Sequence, residues 1–248
     1  MDSEQHLDDL LEQWPYDPSM VSVRTASGRD GRQILQMRVE MGVLQMEILG
    51  RPDGMTPEGF QTYLDHLLSL EGADDDDFEL DEDQCEECDR EFVMFYHRRV
   101  CWLALKEYSK AAQDARHTLA LMDLCKRHSP DEDWTLTHEQ YRPFVLYHCV
   151  QANALAHLSD GSPDDAVHSI NEGLDELKQI YVDFELEEEF EDDELVQRLV
   201  ELRESMRSEY EVGLTLQERL ESAIVAERYE DAARLRDELA NRRATGGR

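Results

Sequence analysis

The order of apolar and polar positions divides the chain into segments with different periods. Residues 1–19 are polar and contain Trp14-Pro15-Tyr16-Asp17-Pro18, where each proline removes a backbone donor and pushes its predecessor out of the α region. A short helix followed by extended chain is expected there. Over residues 20–50 the period is two: Met37, Val39 and Met41 alternate with Gln36, Arg38 and Glu40, and Leu44, Met46 and Ile48 with Gln45 and Glu47. Such alternation marks half-buried strands. With Val21 and Val23 ahead of the Gly28-Arg29-Asp30-Gly31 turn, it predicts a three-stranded antiparallel meander with one apolar face. Beyond Gly50-Arg51-Pro52-Asp53-Gly54, which is either a binding turn or only the exit of the last strand, Thr56-Pro57 offers an N-cap with proline at the first helical position. Phe60, Tyr63, Leu64, Leu67 and Leu68 follow at helical spacing. This helix, running to about Leu70, is expected to cover the meander, because a small sheet cannot bury its apolar face alone. Residues 1–70 then form a small α+β unit.

From Phe92 the period is 3.6. Phe92 to Leu105, Ser109 to Lys126, Arg142 to Leu158, Asp164 to Tyr181 and Leu195 to Tyr210 read as amphipathic helices, and Ser162-Pro163 supplies an N-cap and first-turn proline. The fold class is mainly α, with a small N-terminal antiparallel β meander. Tyr108 to Ala111, in Lys106-Glu107-Tyr108-Ser109-Lys110-Ala111-Ala112, resembles the turn and second-helix start of a tetratricopeptide repeat, and Ala166 could take the same place in a second hairpin. The two alanines are 166 − 111 = 55 positions apart, against a repeat of about 34. Residues 92–212 are therefore either a repeat-like helical layer or an unrelated bundle.

Charge changes the picture between these segments. The 248 residues carry 25 Lys and Arg against 58 Asp and Glu, a net charge of −33, which disfavours coating of a phosphate backbone. Thirteen acids lie between Glu71 and Glu91 with one arginine, and nine lie in residues 183–194 with no base. Residues 71–91 thus read as a solvated acidic linker. No apolar run approaches a membrane span, and Met1-Asp2-Ser3-Glu4 lacks the basic and apolar parts of a signal peptide. A soluble, cytoplasmic protein with reduced thiols is expected, since five cysteines make no disulfide framework.

At the C-terminus, Thr215-Leu216-Gln217-Glu218 is a capping box. Leu216, Leu220 and Ala223 line a first stripe, the chain turns near Glu227-Arg228, and Ala232, Leu235 and Leu239 line a second. Ala226, Ala232 and Ala233 would bring the two helices close, Tyr229 would plug the turn, and Glu230 with Arg234 and Glu238 with Arg242 would pair at i,i+4. This hairpin spans residues 214–243, with 244–248 as a disordered tail. Glu227, Tyr229, Glu230, Ala232, Ala233, Arg236, Asp237 and Leu239 fit the pattern Glu-x-aromatic-Glu-x-Ala-Ala-x-x-Arg-Asp-x-apolar. The segment resembles the UVR domain, the UvrB/UvrC motif. That resemblance implies a docking hairpin for protein–protein association, used in excision-repair subunits and in regulators of the Clp unfoldase machinery. It implies partner contact through Leu216, Leu220, Tyr229, Ala232, Ala233 and Leu239, with Arg236 and Asp237 setting specificity by charge. No helicase or nuclease motif accompanies it. Residues 216–248 hold seven arginines and seven acids, so this region is neutral; Arg242-Arg243 suits a helix end better than DNA. A non-enzymatic adaptor is the expectation, with an accessory factor of UvrABC-type repair and a zinc-dependent regulator of Clp-type proteolysis as alternatives.

The zinc alternative rests on Cys85-Glu86-Glu87-Cys88, which has knuckle spacing, completed by His97 and Cys101 on one helical face. The other reading of these thiols is burial in a core. His97-Arg98-Arg99 and His148-Cys149 lack any accompanying nucleophile elbow or phosphate loop. No catalytic residue is assigned.

Overall fold

The two-residue alternation becomes strands β1 (Ser22–Ser27), β2 (Gln33–Val39) and β3 (Gly42–Glu47) in the computed structural model, paired antiparallel in the order β1-β2-β3. The structure describes residues 7–71 and 78–246, the side chains at 217, 221, 239 and 241–246 excepted. Its other elements are helices α1 (Leu7–Gln13), α2 (Tyr63–Glu71), α3 (Glu82–Ala104), α4 (Tyr108–His128), α5 (Glu132–Glu139), α6 (Arg142–Ser159), α7 (Pro163–Asp183), α8 (Glu194–Tyr210), α9 (Leu216–Val225) and α10 (Tyr229–Gly246). Among the described residues no helix is long and apolar enough to cross a membrane. The chain divides into two units, Met1–Ala156 and His157–Arg248, so the boundary falls inside α6 and not at residue 92 or 212.

In the N-terminal unit, register places Leu35 opposite Met46 and Met37 opposite Leu44. The apolar face so made packs on Cys101 and Trp102 of α3 and on Ala111 and Ala112 of α4. The expectation that the helix after the meander covers it is corrected: α2 joins a different cluster, Tyr63, Leu64 and Leu67 with Cys88, Phe92, Leu121 and Cys125. The meander and that helix are thus two additions to one α3–α4 hairpin, and residues 1–70 are no separate unit. Ala111 and Ala112 are buried in this contact, where their small side chains leave room for the larger apolar groups of the sheet. On the opposite face, Trp14 donates to Ser22 Oγ at 2.7 Å, and Arg24 lies 4.3 Å over its ring.

Thr56 does not cap a helix. Pro57–Gly59 is a single 3-10 turn with Glu58 at φ 48, and no Thr56 side-chain bond forms. The acidic linker also needs correction. Residues 72–77 lie outside the described residues, but Leu80 is buried and α3 begins at Glu82, closed by a reciprocal Asp81–Gln84 capping box. Acids in a first turn suit the helix dipole, and Cys85, Cys88, Phe92 and Phe95 form a buried helical stripe beneath them. At the other end of the chain, α10 continues through 244–246, which the sequence reading assigns to a tail.

In the C-terminal unit, α7 buries Ala166, Val167, Ile170, Leu174 and Leu177, and α8 buries Val196, Leu199 and Met206. Arg203 of α8 donates to Asn171 of α7 at 2.9 Å. Residues 187–192, in the second acidic run, form a 3-10 turn whose Phe190 ring lies 5.5 Å from Tyr181.

Candidate docking site

The C-terminal hairpin is assembled from local chemistry. Thr215 Oγ1 accepts from the Glu218 amide at 3.3 Å while Glu218 Oε2 accepts from the Thr215 amide at 2.8 Å, the reciprocal box read from the sequence. Arg207 of α8 also pairs with Glu218. Burial pushes the Glu218 carboxyl up, but Arg207 and the Thr215 donors outweigh it and hold the group below its ordinary value. α9 ends by placing Glu227 at φ 56, with the Glu227 amide on Ile224 O (2.9 Å) and the Arg228 amide on Ala223 O (2.8 Å). This is a Schellman closure with glutamate at the left-handed position that glycine usually fills.

The stripe expected to meet a partner is largely spent within the hairpin. Ala223, Ala232 and Leu235 are buried against one another, with Leu216 and Leu220 half-buried beside them. Ala226 and Ala233 face solvent and bring nothing together. Tyr229 does not plug the turn: it is 68% exposed. Arg236 and Asp237 are both exposed and pair with each other at 3.2 Å. Arg234 pairs with Asp231, not Glu230. The side chains of Leu239, Arg242 and Arg243 lie outside the described residues. What the sequence reading omitted is the apolar tip, where Ile224 and Val225 (85% exposed) end α9 and the exposed Tyr229 begins α10. They fall off the stripe, and that departure from the pattern was the available signal.

The proposed zinc ligands are not brought together. All four lie on α3, where Cys85 and Cys101 are sixteen residues apart, about 24 Å at 1.5 Å per residue. Cys85 and Cys88 are buried with Cys125 beside α2, whereas Cys101 is buried under the sheet. Burial pushes the Cys85 thiol up to about 11 and the Cys101 thiol to about 12; hydrogen bonding to Cys125 and burial raise Cys88 further. Burial also lowers His97, whose Nδ1 has no hydrogen-bond partner among the described residues. Among the described residues no group of three or more His, Cys, Asp or Glu is arranged to hold a metal ion.

A second organised site lies in the N-terminal unit around the Arg51–Gly54 turn. Glu91 of α3, fully buried, accepts the Tyr63 and Leu64 amides at 2.8 and 3.0 Å and meets His117 Nε2 at 2.8 Å. It thereby caps α2 from another helix. Burial raises its carboxyl, but His117 and the two amides outweigh that and lower it overall. Arg51, also buried, reaches Glu87 at 2.8 Å and Asp53 at 3.2 Å. Arg98 makes a bidentate pair with Asp114 (2.9 and 2.7 Å) and donates to Glu47 O and Gly50 O. The turn is therefore clamped by two buried guanidinium groups. Next to Arg98, Arg99 donates to Thr118 Oγ1 at 3.1 Å and to His148 Nδ1 at 3.3 Å. The His97-Arg98-Arg99 and His148-Cys149 fragments are thus parts of the interior packing.

No family model, curated protein or solved structure matches the chain.

Proposed function

We propose that this protein is a non-enzymatic adaptor that docks a protein partner through the tip of its C-terminal, UVR-like hairpin. The observation that carries this reading is the contrast within one small motif: the stripe Ala223, Ala232 and Leu235 is buried, while Ile224, Val225 and Tyr229, on the two sides of a turn fixed by a capped helix and a Schellman closure, are all exposed. Exposed apolar and aromatic side chains on a rigid element supply contact area at little ordering cost. The resemblance of residues 216–239 to the UVR pattern supports the same role. The stripe residues Leu216 and Leu220 then serve to build the hairpin, and Arg236 and Asp237 flank the contact.

The test is affinity capture from source-cell lysate with the full chain, a truncation ending at Gly213, and Val225→Asp. The expected result is that a defined set of proteins bound by the full chain is lost from both variants, while Val225→Asp shifts stability by less than about 0.5 kcal/mol, as an exposed substitution should. Its members decide between a repair assembly and a proteolytic one. Retention of the same set by Val225→Asp and by the truncation overturns the reading.

A further inference from the structure

A cleft of about 800 Å³ runs between the loop that follows β3 and the exposed side of α3. Its apolar surface comes from Met55, Pro57, Val93 and Met94, with Met55 and Val93 largely exposed. Along α3 the same strip continues to the exposed Tyr96, whose ring lies 6.5 Å from Phe144. Met55 on the loop and Val93 on α3 thus leave apolar side chains open to water on either side of the groove.

The rim selects the cover by charge. Asp53, Glu58, Asp83, Glu87 and Asp89 line the cleft, against Arg51 and Arg90, with Asp89 already bonded to Trp134 and His138. Both arginines are already engaged, Arg51 with Glu87 and Asp53 and Arg90 with Glu87 and Glu86. Glu58 and Asp83 have no ion-pair partner among the described residues, and Glu58 is held out on a left-handed backbone at φ 48. The loop that carries Glu58 is held in place: Arg98 grips Glu47 O and Gly50 O, the Arg51 amide donates to Gln61 O at 2.9 Å, and the Gly54 amide to Arg51 O at 2.9 Å, while Asp83 stands on the first turn of α3. A surface organised before binding loses little entropy on it.

We propose that this cleft receives a basic amphipathic helix from another protein, its apolar face on Met55 and Val93 and its lysine or arginine side chains on Glu58 and Asp83. A second copy of the chain is a poor occupant, because two molecules at −33 repel, and a nucleic acid is excluded by the same sign. Helix-in-groove binding of this kind reads apolar anchors three to four residues apart. The surface belongs to the N-terminal unit and is independent of the hairpin tip.

The probe is a fluorescein-labelled helical Leu/Lys peptide of about 15 residues, kept below its self-association concentration, titrated into the full chain at about 0.15 M salt. A Leu/Glu peptide of the same pattern is the control ligand. Val93→Asp and Asp83→Lys should each weaken binding of the Leu/Lys peptide about tenfold. Glu187→Lys, an equal charge change in the other unit, and Val225→Asp, at the hairpin tip, should each leave it within about twofold. Equal weakening by Glu187→Lys would reduce the effect to general attraction by an acidic chain and overturn the proposal. So would wild-type affinity in Val93→Asp, or equal binding of the Leu/Glu peptide. Loss in Val225→Asp alone would move the site to the hairpin and overturn it as well.

Discussion

The two units solve the problem of an interior in different ways. Every buried charged side chain among the described residues, namely Arg38, Arg51, Glu91, Arg98, Arg99, Asp114 and Glu139, belongs to the N-terminal unit. The C-terminal unit buries Ala166, Val167, Ile170, Leu177 and Leu199 and, among the described residues, no charge. An apolar interior tolerates exchange of one aliphatic group for another of similar volume. A buried ion does not, because removing its partner leaves a desolvated charge whose cost exceeds that of most cavities. The N-terminal unit therefore holds its loops in one geometry by polar bonds of fixed direction, and the C-terminal unit presents helices whose positions follow from stripes. This is why the two proposed docking surfaces, beside the clamped turn and at the hairpin tip, differ so much in how they are built.

The sharpest way to break the comparison is at Glu91. Glu91→Ala strips the Tyr63 and Leu64 amides and His117 of their shared acceptor, and should cost the N-terminal unit about 3–5 kcal/mol. Trp14, Trp102 and Trp134 all lie in that unit, so its urea unfolding is read by tryptophan fluorescence while helical circular dichroism follows both units. A fluorescence midpoint that stays put would show that the buried network is dispensable.

Acid should separate the units next. Burial and the Arg99 charge lower His148 from 6.5 to about 4. The folded ring therefore refuses a proton that the unfolded chain accepts, and stability falls as pH drops from 6.5 toward 4, then levels off for this group. Glu91, held below its ordinary value, continues the loss at lower pH, since its contribution disappears as pH falls through its folded value. For His148 the effect is about 2 kcal/mol, allowing for solvent screening of a half-buried ring. His148→Gln, which keeps an acceptor for Arg99, should reduce the slope of the fluorescence-monitored stability between pH 6.5 and 4, leaving the part due to His97 and His138, which burial also lowers. A profile as steep as that of the parent chain would assign the acid sensitivity elsewhere.

The smallest effect refines the other side. Glu227 occupies a left-handed position where glycine is unstrained. Glu227→Gly should stabilise the hairpin by about 1 kcal/mol, raising the part of the circular-dichroism transition that tryptophan fluorescence does not follow, without moving the tryptophan curve. A fall in stability would mean that the glutamate side chain itself holds the turn.

These helix ends also show how far the sequence can be read. α6 closes at Gly161 with φ 76, as glycine punctuation predicts, yet α3, α7, α8 and α9 close through Lys106, Glu185, Glu211 and Glu227 at φ 55 to 60. A charged residue at such a position carries no signal, so those ends were placed by the loss of period alone. Likewise the acidic run at 78–91 conceals the stripe of Cys85, Cys88 and Phe92, because the three apolar positions of that stripe are outnumbered by charge.

By itself the sequence determined whatever depends on neighbours along the chain. The meander follows from two-residue alternation, the long helices from their 3.6-residue stripes, and the hairpin from the Thr215–Glu218 box. Tertiary structure alone decided which surfaces meet. Nothing local says that Ala111 and Ala112 lie beneath the sheet, or that α2 is capped by a carboxylate 28 residues downstream in Glu91. Nor does it say that Arg98 clamps a loop 48 residues upstream. Buried charges lie outside any periodicity, since an arginine or glutamate in the sequence looks the same whether it meets water or its partner. The packing of helix on helix and sheet on helix makes that choice.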